Sequence, residues 1–174
     1  HTLDATVPIP YSNNPGKEAG EPVIRQTMVV LSGLPGSGKT SFTTKLIENA
    51  GLGETRFLVV NQDRLKSSVA RCEELAVKAI TMGYNVVIDR TNVTVNDRVR
   101  WTDLARENGL MNVIVVFFDT KPEDCIKRCA ARKNHETICN EGDGERVIAK
   151  MRKELVVPKS GESEFMFELI IVSD

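Results

Sequence analysis

No stretch of this sequence is long and apolar enough to span a bilayer, and its first residues carry neither the basic nor the apolar part of a secretory signal. A chain without a membrane segment, working inside the cell in nucleus or cytoplasm, is the expectation. Net charge is scarce too: 23 Lys and Arg against 24 Asp and Glu leave −1 at neutral pH. A uniformly basic nucleic-acid coat is thereby excluded, and any nucleic-acid partner has to be held by a local patch. Cysteine is sparse. Cys72, Cys125, Cys129 and Cys139 do not make a disulfide framework in a chain of 174 residues, and reduced thiols are the simpler reading. There is no internal repeat and no low-complexity tract.

What is present is one domain's worth of ordinary globular composition, long enough to bury a core. Residues 1–22 carry Pro8, Pro10, Pro15, Gly16, Gly20 and Pro22 among polar residues and read as a linker or lead-in. Residues 23–174 are the expected domain. The chain starts at His1, so it reads as part of a longer protein with further domains attached.

The most informative stretch is Gly33-Leu34-Pro35-Gly36-Ser37-Gly38-Lys39-Thr40, with an apolar run, Met28-Val29-Val30-Leu31, before it and a helical pattern opening at Ser41 after it. This is the phosphate-loop pattern in the strand-then-helix setting that the chemistry needs. Glycines at 33, 36 and 38 let successive backbone N–H groups turn inward on a phosphate, and the helix N-terminus adds partial positive charge. Lys39 is placed to reach the β- and γ-phosphates of a nucleoside triphosphate, and the Thr40 hydroxyl to ligate Mg²⁺. ATP, or another nucleoside triphosphate, with Mg²⁺ is the expected cofactor set.

Hydrophobic patterning then alternates. Strands are expected over Val23–Leu31, Arg56–Val60, Asn85–Asp89, Asn112–Phe118 and Phe165–Val172. Helices are expected from Lys39 to a stop at Gly51-Leu52-Gly53, over Ser67–Met82 and Val95–Asn108, then over Lys121–Arg132 and Glu145–Leu155. A polar loop is expected over Lys133–Gly144. The alternation predicts an α/β fold with a parallel five-stranded sheet and helices on both faces, its ligands outside the carboxyl ends of the strands. Asp63, Asp89 and the phosphate loop all fall at that edge.

Together with the phosphate loop, Val-Asn-Gln-Asp (60–63), Val-Ile-Asp-Arg-Thr-Asn (87–92) and Ile-Lys-Arg-Cys-Ala-Ala-Arg (126–132) make the chain resemble the polynucleotide 5′-hydroxyl kinase family from about residue 27 to 160. The resemblance implies a phosphate-loop kinase fold with a small lid, and ATP-dependent phosphoryl transfer to the 5′-hydroxyl of a DNA or RNA end. It makes Asp63 the general base; a helix cap is the alternative for an Asp there. Where the family usually carries Arg before this Asp, the chain has Gln62. Lys39 and the lid arginines Arg128 and Arg132 would neutralise charge on the transferring group. Gly33, Pro35, Gly36, Ser37, Gly38, Lys39, Thr40 and Ser41 would hold the nucleotide. Asp89 either holds the acceptor nucleotide or binds Mg²⁺ through water, and Thr91 and Asn92 join it on the acceptor side; capping or structural roles remain open for all three. Lys66 and Arg98 are candidates for an acceptor phosphate. A small-molecule or tRNA-linked kinase of the same fold, and a nucleotide-binding module without catalysis, are the rival readings.

Cys125, Cys129, His135 and Cys139 have the ingredients of a zinc site. Two of them share one helix face in the expected lid, however, and buried or incidental thiols are the simpler expectation. Trp101 is expected in the core.

Overall fold

The computed structural model describes residues 26–50, 56–65, 68–131, 141–164 and 167–173, with side chains at all of these except 63, 64, 141 and 142. The strands are β1 (Thr27–Ser32), β2 (Phe57–Val60), β3 (Asn85–Ile88), β4 (Asn112–Asp119) and β5 (Glu168–Ser173). They lie in the order β2-β3-β1-β4-β5 and every neighbouring pair is parallel. Helix α1 (Lys39–Ala50) leaves β1, and the short α2 (Gln62–Leu65) leaves β2 ahead of α3 (Val69–Thr81). Helix α4 (Val95–Glu107) precedes β4; α5 (Pro122–Ala131) and α6 (Glu141–Glu154) follow it and pack on one another.

Successive residues of β1 face opposite sides of the sheet, so Met28 and Val30 enter one core and Val29 and Leu31 the other. On the first side α3 and α4 bring Cys72, Ala76, Ala79, Ile80, Trp101 and Ala105. On the second α1 brings Phe42 and Leu46, with Phe42 edge-on to Phe118 at 5.6 Å between ring centroids. Trp101 is fully buried, as its place on the helix predicts. A third, smaller cluster joins Leu34 of the phosphate loop to Cys125 and Cys129 of α5 and Ile148 of α6.

The helix ends have local causes. Ser68 caps α3 through a bond from Arg71 N at 3.3 Å, and the chain leaves it at Gly83 with φ at +79°. Thr94 and Asp97 form a reciprocal capping box at the start of α4.

The structure departs from expectation in three places. Strand β1 begins at Thr27, with Val23–Arg25 outside the described residues, and Gln26 Nε2 instead donates to the carbonyls of Ile80 and Tyr84 at 2.9 and 2.7 Å. Helix α6 begins at Glu141 rather than Glu145, because packing on α5 outweighs the helix penalty of Gly142 and Gly144. Strand β5 begins only at Glu168, after a non-strand Phe167, and forms an exposed edge, with Ile171 55% accessible. Residues 1–22, Gly51–Gly53, most of the expected polar loop and Phe165 lie outside the described residues. Among the described residues no helix is long and apolar enough to cross a membrane.

Candidate active site

Strand β1 runs straight into the phosphate loop. Gly36 turns it with φ at +80°, and a Cβ there would lie 2.5 Å from the Cys125 carbonyl and 2.9 Å from Cys129 Sγ. The loop is therefore backed directly by α5. The loop is also pinned by Thr120 Oγ1, just ahead of α5, which donates to the Ser37 carbonyl at 3.2 Å. Lys39 opens α1 with its ammonium buried in the loop: Nζ donates to the carbonyls of Gly33 (2.9 Å) and Leu34 (2.7 Å) and to Ser37 Oγ (3.3 Å). Pro35 and Gly38 are part-exposed, and Thr40 and Ser41 present their hydroxyls at the exposed first turn of α1. A buried cation and a helix N-terminus thus meet at the loop to which the sequence assigns a polyphosphate.

The neighbouring strand ends meet the loop through the backbone. Gly33 N donates to the Thr91 carbonyl at 2.8 Å, which ties the loop to the turn after β3. That turn meets the end of β2 in the same way: Asp89 N donates to the Val60 carbonyl at 2.9 Å, and Asn61 Nδ2 donates to Asp89 Oδ2 at 3.2 Å. Asp89 is 6% exposed. Asp63 sits in α2, which starts two residues after β2 ends; its side chain is outside the described set. The α2 backbone and the turn after β3 therefore lie at adjacent strand ends, with the phosphate loop on the next strand over.

Asn92 is the one described non-glycine residue with positive φ, at +40°. Its Nδ2 donates to the Leu31 carbonyl at 2.7 Å, and its carbonyl accepts from Ser32 Oγ at 2.9 Å. Its Oδ1 accepts from the Trp101 indole N–H at 3.0 Å. Asn92 is 2% exposed, so it holds the turn and does not meet an acceptor through its side chain. Thr91 stays part-exposed beside it.

Arg98 is a correction to the sequence reading. It is fully buried: Nε donates to Glu162 Oε2 at 2.8 Å, NH2 is paired with Glu162 Oε1, and NH1 donates to the carbonyls of Asn92 and Val93 at 3.1 Å each. An arginine spent in this way cannot take an acceptor phosphate; it straps the turn after β3 to the segment around Glu162. The accessible arginine of this region is Arg90, to which sequence reasoning gave no role. It is half-buried, with its guanidinium carbon 5.8 Å from the Trp101 ring centroid. The available signal was a cation directly after Asp89 at the ligand edge.

On the lid side, Arg128 is exposed in the last turn of α5, while Arg132 and Lys66 lie outside the described residues. Cys125 and Cys129 are buried and pack against Leu34 and Ile148; His135 and Cys139 lie outside the described residues. Among the described residues no three His, Cys, Asp or Glu side chains are grouped to hold a metal.

Residues 28–158 match the model of a protein family described as the AAA domain. The chain belongs to that family. Two sequence relatives carry the name of the family that the four motifs resemble. A protein of Acanthamoeba polyphaga mimivirus named as a bifunctional polynucleotide phosphatase/kinase is 35% identical over 99 residues, 57% of this chain and 22% of that protein. The bifunctional polynucleotide phosphatase/kinase of Schizosaccharomyces pombe is 39% identical over 82 residues, 47% of this chain and 19% of that one. The chain thus spans about a fifth of the length of these relatives. Among solved structures, a fungal RNA kinase superposes with a TM-score of 0.64 at 19% identity, covering 86% of this chain and 75% of that one. Chaetomium thermophilum Kti12, solved with ADP-AlF3, superposes at 0.61 and 16%, covering 84% and 88%. At those identities the superpositions establish the fold, a phosphate-loop kinase-like α/β domain.

Proposed function

We propose that this domain transfers the γ-phosphoryl group of ATP, or of another nucleoside triphosphate, to the 5′-hydroxyl at the end of a DNA or RNA strand. The observation that carries the reading is the pair of bonds at the turn after β3, Gly33 N to the Thr91 carbonyl and Asn61 to Asp89. They hold a phosphate loop and a second, carboxylate-bearing strand end side by side, which supports a reading with donor and acceptor at neighbouring strand ends. The names of the sequence relatives supply the acceptor class.

In this reading the loop from Gly33 to Ser41 cradles the donor phosphates, and Lys39 exchanges one of its carbonyl partners for a phosphate oxygen. Asp63 accepts the proton of the attacking hydroxyl as the new O–P bond forms and the bond to the β–γ bridging oxygen breaks, releasing the diphosphate. Arg128 and Arg132 neutralise charge on the transferring group. Asp89, Thr91 and Lys66 line the acceptor side. The exposed Thr40 hydroxyl, in the first turn of α1, is the side chain that fits Mg²⁺, an ion that offsets charge on the β- and γ-phosphates when bound. Further domains in the longer relatives fit a division of labour in which this piece is the kinase.

Transfer of labelled γ-phosphate to 5′-hydroxyl DNA and RNA oligonucleotides tests the reading, with 5′-phosphorylated strands alongside. Label on the 5′-hydroxyl strands alone is expected, and Asp63→Asn should remove it while leaving nucleotide affinity in place. Label on neither, with nucleotide bound, would move the assignment to a small-molecule or tRNA-linked acceptor or to a silent module.

A further inference from the structure

Two arginines flank this region, Arg90 in the turn after β3 and Arg98 in α4, and the contrast between them is informative. Arg98 is fully buried and its guanidinium is taken up by Glu162 and two backbone carbonyls. Arg90 has no hydrogen bond or ion pair from its guanidinium to any of the described residues. Its sequence neighbour Asp89 is not its partner, because that carboxylate accepts from Asn61. What Arg90 does have is a platform. Its guanidinium lies over the indole of Trp101, and that ring is itself fixed by the bond from its N–H to Asn92 Oδ1.

A guanidinium held over an aromatic ring by cation–π attraction, here at 5.8 Å from the ring centroid, spends no N–H donor on that contact and keeps its planar fork for a two-pronged anion contact. Half-burial strengthens such a contact, and the platform reduces the freedom lost on forming it. The position selects the anion. Arg90 follows the strand that sits between β1, which ends in the phosphate loop, and β2, which ends at α2 and Asp63. Its strand is therefore the neighbour of the one that leads to α2 and the expected base.

We infer that Arg90, held on Trp101, receives the phosphate that adjoins the hydroxyl-bearing sugar of the acceptor, and so selects a strand end over a free nucleoside or sugar. The inference deepens the function proposed above and rests on it for the location of the hydroxyl. Its partner is a phosphodiester, recognised by charge and shape without reference to the base. Discrimination between DNA and RNA does not arise at this residue.

The test pairs a change in the protein with a change in the acceptor. The full chain is titrated calorimetrically with a 5′-hydroxyl trinucleotide of normal linkages and with the same trinucleotide whose first linkage is an uncharged methylphosphonate. Wild type is expected to bind the charged form about tenfold or more tightly. In Arg90→Gln the two forms should bind alike, and Arg90→Lys should keep part of the preference. Arg90→Met, which preserves the apolar cover of the Trp101 ring, serves if the glutamine variant does not fold, and it too should bind both forms alike. A preference that survives in the Gln or Met variant, or the lack of any preference or binding in wild type, would overturn the inference. Labelled-phosphate transfer on the same two acceptors separates it from the parent reading. Transfer that ignores the linkage charge leaves the kinase assignment standing and removes Arg90 from this role. A linkage preference in binding without any transfer supports the Arg90 contact and removes the kinase assignment.

Discussion

The amide of Asn92 and the indole of Trp101 are locked together by a buried bond of 3.0 Å, and the same amide donates to the carbonyl of Leu31 at 2.7 Å. One side chain thus couples the end of β1, the turn after β3 and the core face of α4. Its left-handed backbone, at φ +40°, is a conformation that Asn tolerates better than most residues. Asn92→Ala would leave the Trp101 N–H and the Leu31 carbonyl buried without these partners. A loss of about 2 kcal/mol or more is expected. Urea unfolding followed by the emission of Trp101, the one tryptophan in the chain, measures it; a variant as stable as wild type would contradict the coupling.

The buried pair of Arg98 and Glu162 makes a sharper prediction. Removing one partner leaves an uncompensated charge in the interior, so Glu162→Ala should cost about 3–5 kcal/mol. Replacing both by apolar residues of similar size, Arg98→Met with Glu162→Leu, should recover most of that loss. Chemical denaturation of the single and double variants decides the matter. Equal losses in the two would mean that the bonds from Arg98 to the Asn92 and Val93 carbonyls matter more than the charge pairing.

Two glycines of the phosphate loop should respond differently to alanine. At Gly36 a Cβ meets the Cys125 carbonyl at 2.5 Å, and backbone cannot swing aside; at Gly38 the nearest atom is Phe118 Cδ1 at 4.0 Å. Both carry positive φ, so both variants bear backbone strain of about 1 kcal/mol or more. Gly36→Ala should add the displacement of α5 and lose nucleotide binding together with stability. Thermal melts with and without ATP would show this ordering, and its reversal would place the loop elsewhere relative to α5.

Lys39→Ala removes a buried ammonium and the bonds it donates to Gly33, Leu34 and Ser37 within the loop. ATP affinity is expected to fall about tenfold to a hundredfold, on the scale of a lost charge-assisted bond. Calorimetric titration reads it directly. Unchanged affinity would remove the lysine from the nucleotide site.

Much of this was readable because the informative residues are close in sequence. The strand, phosphate loop and helix from Met28 to Ile47 announce themselves through residue type and spacing, and the apolar runs of β3 and β4 mark strands buried in a parallel sheet. What escaped has physical reasons. Helix α2 is only four residues long, too short for any periodicity to appear. The start of α6 is decided by Ile148 packing against Cys125 and Cys129, which no local propensity reports. The sequence assigns Arg98 to an acceptor phosphate because its actual partner, Glu162, lies far along the chain in an irregular segment. The role inferred for Arg90 was hidden for the complementary reason: it rests on a guanidinium with no hydrogen-bond or ion-pair partner among the described residues, which only packing reveals.

All the strand pairings are parallel, and parallel pairing has a kinetic side. Met28 pairs with Val86, Thr27 with Asn112 and Ile114 with Glu168, so no two adjacent strands meet through a hairpin. Each pairing closes a long loop before any contact rewards it, which places this domain among slow folders and lengthens the time its strands spend unpaired during synthesis. The turn after β3 cannot dock on the phosphate loop until β1 and β3 are aligned. The two halves of the candidate site should therefore appear together, late, and in a single cooperative step.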